Sequence, residues 1–124
     1  MLPSNPEIQI KRIYEPPDTN DGQRILVDRL WPRGKSKEAA QIAFWSKDIA
    51  PSNTLRKWHA HDHAKWPEFR KRYFAELDAT PDAVEELLAR LDSDSVTFLF
   101  SSREEDLNNA AALKEYVERK LQNT

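Results

Sequence analysis

The chain is 124 residues long, has no cysteine, and carries 19 basic against 21 acidic side chains, a formal charge of −2. That length suits one domain able to bury a core without disulfides or a structural metal, and the missing thiol excludes cysteine nucleophiles, iron–sulfur clusters and redox pairs. No stretch is long or apolar enough to span a membrane, residues 1–6 lack both the basic and the apolar part of a secretory signal, and the weakly acidic balance gives no expectation of nucleic-acid binding through bulk positive charge.

The expectation is therefore a soluble cytoplasmic protein, with a loose tail over residues 1–6 and one α/β domain over residues 7–124. Oligomeric state is not legible at this level. Ile8 and Ile10 alternate with Glu7, Gln9 and Lys11, the period of a strand with one buried face, and Arg12 and Tyr14 continue the same side. The inward face thus turns polar at Arg12, as on reaching a cleft, unless the strand leaves the sheet there. Residues 15–22 (Glu-Pro-Pro-Asp-Thr-Asn-Asp-Gly) are turn formers. They leave no room for a crossover helix, so the strands on either side are antiparallel neighbours or lie apart in the sheet.

Ile25-Leu26-Val27 is a short apolar run of the kind found in strands covered on both faces. It runs straight into Asp28-Arg29-Leu30-Trp31-Pro32-Arg33-Gly34, which packs two guanidiniums, an indole and a carboxylate together. In open α/β sheets ligands bind outside the carboxyl ends of such strands. Pro32 ends the ladder, Gly34 supplies a positive φ for the exit, and the Trp31–Pro32 bond is open to a cis form. The plainer reading has Trp31 plugging the core while Arg29 and Arg33 pair with surface carboxylates.

Residues 35–43 suit a short helix, with Phe44, Trp45 and Ile49 following on one buried face. Pro51 stops that element, and Ser52 caps a helix carrying Leu55 and Trp58, flanked by Lys47, Arg56 and Lys57, which form a solvated helix face or else add positive charge to the cleft. His59-Ala60-His61-Asp62-His63 has the look of a metal cluster, but it contains no cysteine, falls at a helix connection and only superficially resembles a metallohydrolase motif whose spacing it does not match, so no metal is assigned. Trp66, Phe69, Tyr73 and Leu77, then Val84, Leu87, Leu88 and Leu91, form two core helical stripes, with Thr80 and Pro81 ending the first helix and capping the second.

Val96-Thr97-Phe98-Leu99-Phe100 reads as a second buried strand, ending in Ser101-Ser102-Arg103. A helical excursion between two buried strands is the form of a parallel crossover, and it brings Ser101, Ser102 and Arg103 to the sheet edge that holds Asp28, Arg29 and Arg33. A final helix is expected to open over residues 102–106, with Asn108 and Asn109 in its first turn and Leu107, Ala110, Leu113, Val117 and Leu121 inward. Its N-terminus offers unpaired N–H groups to an anion, although Glu104, Glu105 and Asp106 could answer the same dipole as ordinary caps.

Several blocks together carry a resemblance: Lys11-Arg12-Ile13-Tyr14, residues 22–34 with their Asp-Arg-Leu-Trp-Pro-Arg-Gly ending, Ala50-Pro51-Ser52 with Leu55-Arg56-Lys57-Trp58, and residues 69–77. The chain resembles the YeaO-like family, a domain of unknown function numbered 488, from about Ile8 to Leu121. The resemblance implies a small cytoplasmic α/β domain of bacterial type and brings no reaction, cofactor or catalytic residue. One departure is the lack of the histidine that relatives often carry near Leu107 or Asn109. A family mechanism using that imidazole does not carry over.

The functional expectation is a site for a small anion, a phosphate, nucleotide or carboxylate, formed by Arg12, Tyr14, Arg29, Trp31, Arg33, Ser101, Ser102, Arg103, Asn108 and Asn109, with no cofactor. Turnover is left open. Asp28, Ser101 and Ser102 are weak candidates for catalysis, since neither serine has a histidine partner evident in sequence. The alternative is a regulatory module whose arginines and aromatics contact a protein or nucleic acid.

Overall fold

The computed structural model describes residues 5–123, so the first four residues of the expected tail lie outside the described part. Four strands, β1 (Glu7–Arg12), β2 (Gln23–Leu26), β3 (Phe44–Trp45) and β4 (Ser95–Phe100), form one sheet in the order β1-β4-β2-β3, each neighbouring pair parallel. Five helices accompany them: α1 (Lys37–Ala40), α2 (Asn53–His59), α3 (Trp66–Asp78), α4 (Pro81–Arg90) and the C-terminal α5 (Asn109–Gln122). This is the expected small α/β fold, with central parallel strands β2 and β4 joined by a long, mainly helical crossover. The loop between β1 and β2 is too short for a crossover helix, and β4 lies between the two strands.

Alternation along β4 divides the core. Val96, Phe98 and Phe100 join Ile8, Ile25 and Val27 on the face covered by Leu55, Phe69, Tyr73, Leu77, Leu87, Leu113 and Val117. Leu99 joins Leu26, Ile13 and Ala40 on the opposite face, with Trp31 and Trp45 packed against them. Arg24 also points to this second face. It is 5% exposed, its Nε and Nη2 donate to the Ala40 carbonyl at 3.1 and 2.8 Å, and its Nη1 meets Asp21 at 2.6 Å. A buried guanidinium thereby ties α1 to the sheet, its charge matched as burial requires.

Local signals explain most element ends. Ser52 Oγ accepts the Leu55 N–H at 3.1 Å, the expected cap of α2. Gly22 has φ +63°, and a Cβ there would lie 2.1 Å from the Ser95 carbonyl oxygen, so the turn into β2 admits glycine alone.

Other ends differ from expectation. β2 starts at Gln23 and stops at Leu26, although the Val27 N–H still reaches the Leu99 carbonyl at 3.1 Å. The helix expected over residues 35–43 shrinks to one turn because Gln41 takes φ 48°. Phe44 and Trp45 are not on a helix but form edge strand β3, paired with Ile25 and Leu26. Thr80 makes no side-chain cap for α4; its Oγ1 donates back to the Glu76 and Leu77 carbonyls, closing α3. No cis peptide bond occurs among the described residues.

The last helix begins later than residues 102–106. Glu104 accepts the N–H groups of Asp106 and Leu107 at 3.0 and 3.3 Å, folding that segment into a loop. Asn108 then caps α5 by accepting the Ala111 N–H at 2.9 Å. Glu104, Glu105 and Asp106 therefore precede the helix and are not its first-turn acids. No helix among the described residues is long and apolar enough to cross a membrane.

Candidate functional site

Because β2 and β4 are parallel neighbours, the segments that follow them leave the sheet at the same end. They are tied directly to each other. The Asp28 carboxylate accepts from the Ser101 N–H at 2.9 Å, the Ser101 hydroxyl at 2.7 Å and the Asn109 side-chain amide at 3.0 Å. That amide also donates to the Val27 carbonyl at 3.2 Å, and the Trp45 indole donates to the Asp28 carbonyl at 2.8 Å. One carboxylate thus fastens the ends of two strands and the start of α5.

Above this knot lies a cavity of about 380 Å³, within the range of small-molecule sites. Its walls come from residues 28–33 after β2, from Ala50 and Pro51, from Arg56, His59 and His61, from Phe69 of α3, and from Ser101, Ser102 and residues 107–109. Tyr14 closes one side, its hydroxyl donating to the Arg33 carbonyl at 2.9 Å. Trp31 is held by its indole N–H on the Lys35 carbonyl at 2.5 Å and by an edge-on contact with Trp45.

Charge on the lining is lopsided. Arg29, Arg33 and Arg56 face a single carboxylate, Asp28, which already accepts three hydrogen bonds within the knot. None of Arg29, Arg33 or Arg56 forms an ion pair with a carboxylate among the described residues, which removes the plainer reading of surface-paired arginines. Arg29 donates from Nη2 to the Ala50 carbonyl at 3.1 Å, while its buried Nε has no partner. Asn108 and Asn109 bring the N-terminal end of α5 to the wall, where the first N–H groups have no intrahelical acceptor.

Of the ten expected binding residues, eight line this cavity: Tyr14, Arg29, Trp31, Arg33, Ser101, Ser102, Asn108 and Asn109. Arg12 and Arg103 do not. Arg12 sits opposite Phe100 at the end of β1, so its guanidinium falls on the neighbouring backbone, donating to the Ser102 and Ser101 carbonyls at 2.8 and 3.4 Å. Arg103 is exposed in the loop that Glu104 organises, away from the lining.

Sequence reasoning put His59 at a helix connection, as found, but did not connect it with the cleft. His59 is the last residue of α2, 6% exposed, its ring tilted against Phe69 at 4.3 Å between centroids, and its Nε2 is buried without a partner among the described residues. Burial pushes its pKa below the ordinary imidazole value, with His61, Lys65 and His63 adding to the fall and Asp62 opposing it. The three histidines do not converge: His63 instead meets Glu104 at 2.5 Å, and the described residues contain no group of three or more potential ligands able to hold a metal. Arg56 was legible as a flanking cation. Its place in the wall follows from the Ser52 cap, which sets the start of α2.

A family model described as the inactive DUF488-N3 subclade matches residues 7–124. The chain belongs to the YeaO-like DUF488 family. Among its relatives, uncharacterized proteins of Mycobacterium tuberculosis and Mycobacterium bovis are 38% identical over 110 residues, covering 89% of this chain and 92% of theirs. The uncharacterized protein YeaO of Escherichia coli is 37% identical over 110 residues, covering 89% of this chain and 96% of its own. No solved structure matches the chain significantly. In this YeaO-like chain the Asp-Arg-Leu-Trp-Pro-Arg-Gly block supplies both the knot, through Asp28, and much of the cavity wall, through residues 29–33.

Proposed function

We propose that this YeaO-like protein is a receptor for a small anion, a phosphate, nucleotide or carboxylate, held at the C-terminal ends of β2 and β4 without turnover. The observation that carries this reading is the pair of buried side-chain polar atoms left without a partner among the described residues. They are Arg29 Nε and His59 Nε2, and both belong to residues lining the same cavity. Native proteins leave few such atoms, and a water or an ion at the site is one of the regular reasons. Three arginines without a carboxylate partner among the described residues and the start of α5 supply the matching positive field.

Binding is favoured over catalysis because the candidate base is occupied. The Ser101 hydroxyl does donate to Asp28, but the same carboxylate also holds the Ser101 N–H and the Asn109 amide, which is the role of a structural tie between the strand ends and α5. Ser102 Oγ accepts the Glu104 N–H at 3.0 Å, and among the described residues no histidine is hydrogen-bonded to either serine. The matching subclade's description as inactive agrees with this reading. The absence of cysteine fits a reducing cytosol, where we place the protein.

The test is a thermal-shift screen against sulfate, phosphate, nucleotides and carboxylic acids, with wild type, Arg29→Ala and Arg33→Gln side by side. An anion present at a hundredfold excess over its Kd stabilises by about 2.7 kcal/mol, a rise of several degrees in Tm. A selective rise in wild type that shrinks in both variants supports the site. Arg33 is exposed, so its variant separates lost binding from lost folding. No rise with any anion at millimolar concentration refutes the proposal.

A second reading has one observation in its favour. Tyr14 and Leu30, the exposed large hydrophobics among the described residues, both stand at the cavity. That rim suits a protein partner presenting a carboxylate or phosphate into the hollow. A nucleic-acid partner fits the net charge of −2 less well, and would reveal itself by binding that falls steeply with salt.

A further inference from the structure

His59 sits in the cavity with no role in the arrangement described so far. The two residues after it, Ala60 and His61, take φ 46° and 59°, a left-handed pair that ends α2 and turns the chain back. The imidazole is thereby packed on Phe69, with the Trp66 ring at 6.1 Å and the His61 ring at 6.3 Å. A buried imidazole ordinarily has its orientation and tautomer set by a hydrogen bond, yet Nε2 here has none.

The charges around it are mostly of one sign. Its own helix contributes Arg56 to the shared cavity, and the following turn contributes His61, His63 and Lys65, with Asp62 as the one acid. From the β2 side the cavity brings Arg29 and Arg33, together with Asp28, which the knot already uses. From the β4 side Glu104 is engaged with His63, and residues 107–109 are uncharged. Against His59, α3 presents rings, Trp66 and Phe69. Surroundings of predominantly positive charge oppose a proton on the imidazole. An anion inside the cavity reverses the sign of the local field.

We propose that His59 is the proton switch of the anion site: neutral in the free protein, it takes one proton from solvent as a fully ionised oxyanion enters, and the imidazolium then offsets that oxyanion's charge from the cavity wall. The inference rests on the anion reading above and adds its regulation. Proton uptake on binding makes affinity fall as pH rises, by up to about tenfold per pH unit between the free and the bound pKa. The free value lies below 6.5, so the window opens there and extends upward as far as the ligand raises the imidazole.

The experiment is isothermal titration of wild type and His59→Phe with sulfate and with benzenesulfonate, neither of which titrates near neutrality. It is run from about pH 6 to pH 8 in buffers of different ionisation heat. Phenylalanine keeps a flat ring against Phe69 and removes the nitrogen. Wild type should take up as much as one proton per anion, with affinity falling as pH rises, while the variant should bind with flat pH dependence and no uptake. Binding by wild type without proton uptake overturns the switch and leaves the anion site standing, as does uptake that survives in the variant. No heat with either probe overturns the anion reading and the switch together. Should the variant fail to fold, the His59 ring nitrogens followed by NMR in wild type decide the matter. Sulfate should raise the imidazole pKa by about one unit or more, and an unchanged value refutes the proposal.

Discussion

Replacing Asp28 by alanine separates a structural knot from a catalytic base. The substitution strands three donors at once: the Ser101 N–H at 2.9 Å, the Ser101 hydroxyl at 2.7 Å and the Asn109 amide at 3.0 Å. A hydrogen bond to a charged group contributes about 1.5–3 kcal/mol when its loss leaves the partner unsatisfied. Asn109 keeps its bond to the Val27 carbonyl, and the site is only partly buried, so water recovers some of the loss. The expected destabilisation is about 3 kcal/mol, roughly 10 °C in Tm for a chain of this size. Urea unfolding provides the measurement, with the midpoint lowered and the m-value unchanged. Asp28→Asn retains one acceptor oxygen and should fall between the two. A loss below about 1 kcal/mol for Asp28→Ala would show that the knot does not hold the strand ends, and would return Asp28 to the list of candidate catalytic groups.

Three further outcomes follow from the geometry. Burial alone would raise the Asp21 pKa, but the Asp18 N–H, Lys11 and Arg24 together hold the carboxyl below its ordinary value, so the stability it contributes is present above about pH 4 and lost as pH falls through the folded pKa. Asp21→Asn leaves Arg24 buried and unpaired and should cost about 3–5 kcal/mol, with the acid limb of the stability–pH curve flattened; an unchanged limb contradicts the pairing. Gly22→Ala forces a Cβ to within 2.1 Å of the Ser95 carbonyl at φ +63°, and a loss of at least about 2 kcal/mol in urea is expected; a tolerated alanine would mean that this turn relaxes. Tyr73 is fully buried, its hydroxyl donates to the Ile49 carbonyl at 2.6 Å, and burial pushes its pKa far up. Tyr73→Phe should lower stability by about 1–2 kcal/mol, read from the same unfolding curves, and a neutral result would show the carbonyl resatisfied elsewhere.

Legibility in this chain follows how local the cause is. The β4 run is apolar at nearly every position because both faces of the strand are covered, and the α3 stripe of Phe69, Tyr73 and Leu77 repeats at helical spacing, so both could be read directly. Ser52 could be read as a cap because its partner is three residues away. The β3 strand could not, since two residues carry no period and Phe44–Trp45 is a strand only through its pairing with β2. The start of α5 went astray where two local solutions competed. Glu104 was available either as a first-turn acid or as an acceptor for the loop, and Asn108 took the cap.

By itself the sequence determined the class of fold, the two buried strands and the polar segments that leave their ends, because hydrophobic period and turn chemistry act over a few residues. Only the tertiary structure decided what fills the space between those segments. It turned Arg12 onto the Ser101 and Ser102 carbonyls, left Arg103 outside the lining, brought in His59, and chose for Arg56 the cavity wall over the solvated helix face that the sequence left as its alternative. Those placements depend on the register of parallel strands far apart in sequence and on the packing of α2 against α3. No window of neighbouring residues contains that information.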